Sequence, residues 1–223
     1  MEQNYHSIQQ AISAAAARSG RRAADVLLVA VSKTVNARQV AQAASAGIRD
    51  FGENRSGTLH EKQALFPEYR WHFIGRIQTN KLKDYVGKVA LIHSVASYRA
   101  LEAIDRRAHS IGCVQELLIE VNVLAEASKD GVAPEQLADL LSAARALKSV
   151  CVRGLMTMAP LGSPAAARHS FAGLRRLRDD LAADFADANN VRLTELSMGM
   201  SDDMEIAVEE GATIVRVGRR LWT

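Results

Sequence analysis

The chain is poor in cysteine, proline and aromatic residues: of 223 residues, 2 are Cys, 4 are Pro and 5% are aromatic. Cys113 and Cys151 each open an apolar run, which points to buried free thiols in a reducing compartment and away from a disulfide framework. No CxxC, HExxH or other metal-ligand spacing occurs, so no structural metal is expected. The opening "MEQNYHSIQQAISAAAARSG" carries an acid where a secretory leader needs bases, and it lacks a long apolar segment. No window approaches the length of a membrane span, so a cytoplasmic protein without membrane contact is expected. An excess of one charge is also missing: 28 Lys and Arg stand against 25 Asp and Glu, a net +3. The basic residues are scattered or come in pairs such as Arg21-Arg22 and Arg175-Arg176. Nucleic-acid binding would need a stripe or block of them, and is not expected. No linker rich in Pro, Gly or Ser interrupts the chain, so residues 1–223 read as one domain.

What is present is 48% hydrophobic residues in a regular alternation, enough to bury a sizeable core. Residues 3–18 are good helix formers stopped by Gly20. Apolar runs that read as strands follow at 26–31, 48–51, 71–74, 89–93, 114–121, 151–156, 192–196 and 213–217. Helical stretches lie between them at 36–46, 54–65, 78–85, 97–110, 134–147, 165–184 and 202–210. Asn36 and Ser97 stand at cap positions, and Pro134 at a first turn. Strands alternating with helices close into a (β/α)8 barrel or lie in an open doubly wound sheet. The count of eight favours the barrel, and no GxGxxG follows the first strand to support the open sheet. The fold class expected is therefore α/β, a (β/α)8 TIM barrel with an extra N-terminal helix.

Barrel sites lie at the C-terminal ends of the strands, and polar residues gather there in this sequence. Lys33 ends the apolar run "LVAVSKTV". A lysine at a strand end can simply snorkel to water. Partial desolvation in a barrel mouth instead favours the neutral amine, the form that attacks a carbonyl to make a Schiff base. Position alone leaves both readings open. "SMGMSDDM", before the helix "EIAVEEG", reads as an ordinary cap or as an anion site at a helix N-terminus. The strand-eight end "VRVGRR" supplies a second glycine where barrels often hold phosphate. Arg216 lies out of phase with Val215 and Val217 and so points inward, where a guanidinium needs a partner. No carboxylate is obvious for it, which makes a ligand atom a candidate. "FGEN" and "WHFIG" are glycine-bounded strand ends.

Together these segments resemble the pyridoxal phosphate homeostasis proteins, a family related to the barrel domain of bacterial alanine racemase. The resemblance runs through "AVSKT" (30–34), "FGEN" (51–54), "WHFIGRIQTNK" (71–81), "HSV" (93–95) and "EVN" with "KDG" (120–131). It continues through "GLMTMAP" (154–160) and "LSMGMSDDMEIAVEEGATIVRVG" (196–218). It implies that Lys33 holds pyridoxal 5′-phosphate as a Schiff base and that Arg216 faces the pyridine nitrogen. An arginine there keeps that nitrogen unprotonated, because it does not hand over its proton. Ser201 and the backbone at Gly218 match the phosphate positions, and Asn54 and His72 match motif residues lining the pocket.

The resemblance further implies a role in keeping the level of this cofactor, without significant turnover, and possible hand-over to apo-enzymes that depend on it. The alternatives are a cofactor-dependent amino-acid racemase of low activity, a Schiff-base aldolase on a sugar phosphate, or a nucleic-acid or protein-binding module on a vestigial site. The related racemase takes a second acid–base group from a separate β-domain across a dimer. This sequence ends just after strand eight, so no such group and a monomeric state are expected. Two departures stand out. Arg76 replaces a proline usual in the third motif, and "GRRLWT" replaces an ending of the form "GTAIFG". Arg219 thus takes the place of a hydroxyl, and its charge is expected to serve the phosphate rim instead.

Overall fold

In the computed structural model, which describes residues 1–126 and 130–223, eight parallel strands close a barrel in sequence order. They are β1 (Leu27–Val31), β2 (Asp50–Glu53), β3 (Arg70–Phe73), β4 (Leu91–Val95), β5 (Gln115–Glu120), β6 (Val150–Met156), β7 (Val191–Ser197) and β8 (Ile214–Val217). β8 returns to β1 with Leu27 opposite Ile214 and Ala30 opposite Val217, so no edge is left unpaired. The expected barrel is thereby observed. The outer helices are α1 (Glu2–Arg18), α2 (Ala37–Ser45), α3 (Ser56–Leu65), α4 (Leu82–Tyr85), α5 (Tyr98–Ser110), α6 (Leu137–Arg145), α7 (Pro164–Ala182), α8 (Met204–Glu209) and α9 (Arg219–Trp222). Lys129 of the "KDG" segment lies outside the described residues.

Local chemistry explains the boundaries. Asn36 accepts from the Gln39 amide while the Gln39 side chain accepts from the Asn36 amide, a complete capping box at the start of α2. Ser97 and Ser163 cap α5 and α7 by accepting from Ala100 and Ala166. α1 precedes the repeat and packs on the closing side of the barrel, where Asn4 donates to the Leu221 carbonyl. α9 seals the same side: the Trp222 ring nitrogen donates to the Val31 carbonyl at 2.6 Å.

Strand alternation sends one set of side chains to the helices and the other into the lumen. The large apolar core lies on the outer set, for example Phe51, Trp71, Leu117, Ile119, Val215 and Val217. Inside, Val29, Leu91, Leu118, Met156 and Ile214 form a small second cluster. It shares the lumen with buried polar groups, among them Asp50, His72, His93, Ser197 and Arg216. Cys113 and Cys151 are both free thiols. No helix of the described residues is long and apolar enough to cross a membrane.

Candidate functional site

At the C-terminal ends of the strands lies a cavity of about 470 Å³ whose wall includes Lys33, Asn54, Ser201, Arg216, Gly218 and Arg219. Lys33 follows β1 in a turn that its neighbour anchors on three sides. The Ser32 amide donates to the Gly52 carbonyl at 2.9 Å, its hydroxyl donates to Glu53 Oε1 at 2.7 Å, and its carbonyl accepts from Lys62 Nζ at 2.6 Å. Lys62 also bonds Glu53 Oε1 at 2.6 Å, an ion pair hidden between β2 and α3. Lys33 itself is exposed to the mouth, and among the described residues it has no hydrogen-bond or ion-pair partner.

Arg216 enters the same cavity from β8. Its partners are not a carboxylate but neutral acceptors: Nη1 donates to Ser197 Oγ at 2.5 Å and Nη2 to the Thr157 carbonyl at 3.1 Å. Burial pulls the guanidinium down to about 10, against the opposing fields of Glu120 and Asp203. It therefore stays cationic at neutral pH. The arginine needed acceptors more than a counter-charge, and backbone and hydroxyl groups supply them.

Ser201 belongs to the turn before α8, and its hydroxyl accepts from the Arg220 amide at 3.3 Å. That contact ties the seventh and eighth strand ends together. Gly199 is required there: its φ is +90°, and a Cβ would lie 2.4 Å from that of Ala207. At Gly218 a Cβ would only touch Val31 at 3.5 Å. Asn54 stands after β2, with its backbone so close to Gly75 that a Cβ at 75 would fall 2.1 Å from the Asn54 carbonyl oxygen. Arg219 is exposed and held by Asp202, which also lines the cavity. Its charge, expected to serve the phosphate rim, comes with a counter-charge.

His72 is not brought to the mouth. It sits within β3, two residues before Ile74, which does reach the cavity. It is buried in the lumen and lines a separate cavity of about 380 Å³ with Arg70, Glu116, Arg153 and Glu195, at the opposite end of the barrel. There it bonds Asp50 Oδ1 through Nε2 and His93 Nε2 through Nδ1, each at 3.0 Å.

Sequence reasoning passed over several residues that shape the site. Lys62 is one: it lies three residues from buried Leu59 on the same helix face, so a lysine in an apolar stripe was the available signal. His93 and Ser197 stand on inward positions of β4 and β7, visible only once the register is known. Arg76, at the position where the motif departs from proline, is on the cavity wall and pairs with Asp130 at 3.3 Å.

Comparison with known proteins places this arrangement. The family model "Alanine racemase, N-terminal domain" matches residues 4–222. The pyridoxal phosphate homeostasis protein of Aquifex aeolicus is 43% identical over 218 residues, covering 96% of this chain and 94% of its own length. That of Pseudomonas aeruginosa is 40% identical over 223 residues, covering 99% and 94%. Among solved structures, PipY of Synechococcus elongatus without pyridoxal phosphate superposes with a TM-score of 0.83 at 40% identity, covering 89% of this chain and 93% of PipY. PipY with pyridoxal phosphate bound gives 0.82 at the same identity and coverage. An alanine racemase of Clostridium difficile, 14% identical, shares the fold with a TM-score of 0.73 over 88% of this chain and 55% of its own. A family match over nearly the whole chain and close relatives of the same length agree: the chain belongs to the pyridoxal phosphate homeostasis protein family, built on the alanine racemase N-terminal barrel.

Proposed function

We propose that this chain binds pyridoxal 5′-phosphate covalently through Lys33 in the C-terminal mouth of the barrel, and holds the cofactor in reserve without turning over a substrate. The observation that carries this is the pairing of an unpartnered Lys33 with a buried, fully hydrogen-bonded Arg216 on one cavity wall. The residues fit the group. Among the described residues, four cations, Lys33, Arg76, Arg216 and Arg219, face this cavity against one carboxylate, Asp202, a balance that attracts a phosphate ester. Its volume of about 470 Å³ lies in the range of about 300–1,000 Å³ usual for small-molecule pockets.

The cofactor supplies an aldehyde carbon for capture by an amine, and an aromatic ring with a basic nitrogen. Lys33 provides the amine, on a backbone that the Glu53–Lys62 pair keeps from shifting. Arg216 provides a hydrogen-bond donor that stays charged, so it can bond the ring nitrogen without protonating it. Ser201 and the backbone at Gly218 stand where the phosphate group would be held. Transfer to apo-enzymes and a monomeric state remain part of this reading.

The geometry weighs against racemisation, the second reading. Proton removal and return on opposite faces need two positioned groups. His72, the motif histidine expected to line the pocket, lies at the other end of the lumen, and Asp202 is engaged by Arg219. The test is a melting series with increasing pyridoxal phosphate, on wild type and Lys33→Ala, with an amino-acid racemisation assay. The wild-type melting temperature should climb with ligand concentration, the variant should fold but respond far less, and turnover should be absent or trace. Alanine racemisation on the order of 10 per second would overturn the reserve role.

A further inference from the structure

A single file of polar side chains crosses the barrel lumen from one mouth to the other. Arg216 Nη1 meets Ser197 Oγ at 2.5 Å, Ser197 Oγ meets His93 Nδ1 at 2.8 Å, and His93 Nε2 meets His72 Nδ1 at 3.0 Å. His72 Nε2 then meets Asp50 Oδ1 at 3.0 Å, and Arg70 Nε lies 3.4 Å from that same oxygen. All four residues between Arg216 and Arg70 are buried, in a lumen that elsewhere packs Val29, Leu91, Leu118 and Ile214. An apolar filling was available, so the polar file is a feature that needs a reason.

The chemistry of its two ends sets its direction. A guanidinium only donates, so Ser197 Oγ must accept from it and turn its own proton toward His93 Nδ1. A carboxylate only accepts, so His72 Nε2 must carry a proton and give it to Asp50. With both rings neutral, His72 Nδ1 is then an acceptor, and His93 must present Nε2–H to it. Read from either end, the chain gives the same tautomers, with every donor used once and no proton left over. Burial, then the fields of His72 and Arg216, hold His93 well below the ordinary histidine range, in keeping with a neutral ring.

We propose that Ser197, His93, His72 and Asp50 are positioning residues for Arg216: a one-way hydrogen-bond chain that locks its guanidinium in place for the ring nitrogen of the bound cofactor. This rests on the reading of the mouth as a pyridoxal phosphate site. The locking follows from the direction of the chain. Were His93 to carry its proton on Nδ1, its bare Nε2 would face the bare Nδ1 of His72 at 3.0 Å, acceptor against acceptor. The acceptor at the far end, Asp50 paired with Arg70, prevents that reversal. A fully satisfied buried network of this kind rigidifies what it holds.

Two measurements test it. In the chain labelled with ¹⁵N-histidine and free of ligand, the ring nitrogens of His72 and His93 should both report the neutral tautomer protonated at Nε2. A His93 proton on Nδ1 overturns the proposal, and this readout needs no variant. Pyridoxal phosphate titrations followed by absorbance then compare wild type, His72→Leu, which removes the acceptor for His93, and His72→Asn, which retains an acceptor at the δ position. Loss of the neutral hydrogen bond that orients His93 predicts roughly two- to tenfold weaker binding for the leucine variant, with a displaced absorption band, and near wild-type behaviour for the asparagine variant. A folded His72→Leu with unchanged affinity and band overturns this proposal alone. A wild type that binds no pyridoxal phosphate overturns the function as well, whatever the tautomers.

Discussion

At the scale of single residues, two carboxylates near the mouth make measurable predictions. Asp202 and Arg219 form an exposed pair on the cavity rim, where the carboxylate would repel a phosphate and the guanidinium offset it. Arg219→Thr should weaken pyridoxal phosphate binding about two- to fivefold and Asp202→Asn should strengthen it by a similar factor, the scale of surface charge effects. Both changes should shrink between about 0.1 and 1 M salt, as the screening length falls from about 10 to 3 Å. Titrations at the two salt levels read this directly, and equal affinities at low salt would remove the pair from the site. Glu120, buried at the end of β5, is pushed up to about 7 by burial first and Asp130 second, despite Arg216 and Arg76. The folded chain thus holds a proton that the unfolded chain, with an ordinary value of 4.5, releases. That contribution is complete below 4.5 and is lost as pH rises through about 7. Glu120→Gln should therefore gain on wild type in ligand-free melting temperature between pH 5 and pH 8. Parallel curves would contradict the shift.

Among the elements, the contact between β2 and α3 under Lys33 is the most sensitive. Lys62→Met would leave Glu53, fully buried and with Oε2 already unpartnered, as a charge without a counter-ion, held only by the Ser32 hydroxyl. Breaking a buried pair this way costs about 3–5 kcal/mol, or roughly 6–20 °C of melting temperature at this chain size. Replacing both residues, as in Glu53→Met with Lys62→Met, should recover much of that loss in a melting experiment. If the single variant melts like wild type, the pair does not anchor the turn. The same region shows how far the sequence could be read. Every strand and the helices between them were legible from apolar runs and glycine stops, yet β2 was expected at 48–51 and lies at Asp50–Glu53. Ile48 belongs instead to the turn that closes off α2, its amide bonded to the Ala43 carbonyl, and Glu53 is hidden by a lysine nine positions on. β4, expected at 89–93, runs Leu91–Val95 because His93 and Ser94 are buried in spite of their polarity. α9 was not foreseen, since four residues carry no period. The mouth was legible because strand ends expose polar residues in fixed positions. The lumen was not, because polar residues inside a barrel look like surface positions until the register pairs Asp50, His72, His93 and Ser197 across strands.

For the whole molecule, closure of the barrel is what makes a site from residues at 33, 54, 201, 216 and 218. β8 pairs with β1, so the first and last strand ends become neighbours, and the turn before α8 is drawn in beside them by Ser201. The opposite mouth holds a different population, Arg70, Glu116, Arg153 and Glu195, already paired among themselves and with Asp50. That asymmetry assigns one end to a ligand and the other to stability, as barrels generally do. The central claim is that the ligand is pyridoxal 5′-phosphate and that Lys33 captures it. The most direct measurement is to incubate the purified chain with pyridoxal phosphate, reduce with borohydride, digest, and map the added mass by peptide. The account predicts one reduced pyridoxyl adduct, on the peptide containing Lys33, close to one per chain and lost in Lys33→Ala. An adduct spread over surface lysines, or retained at the same level in Lys33→Ala, would contradict it.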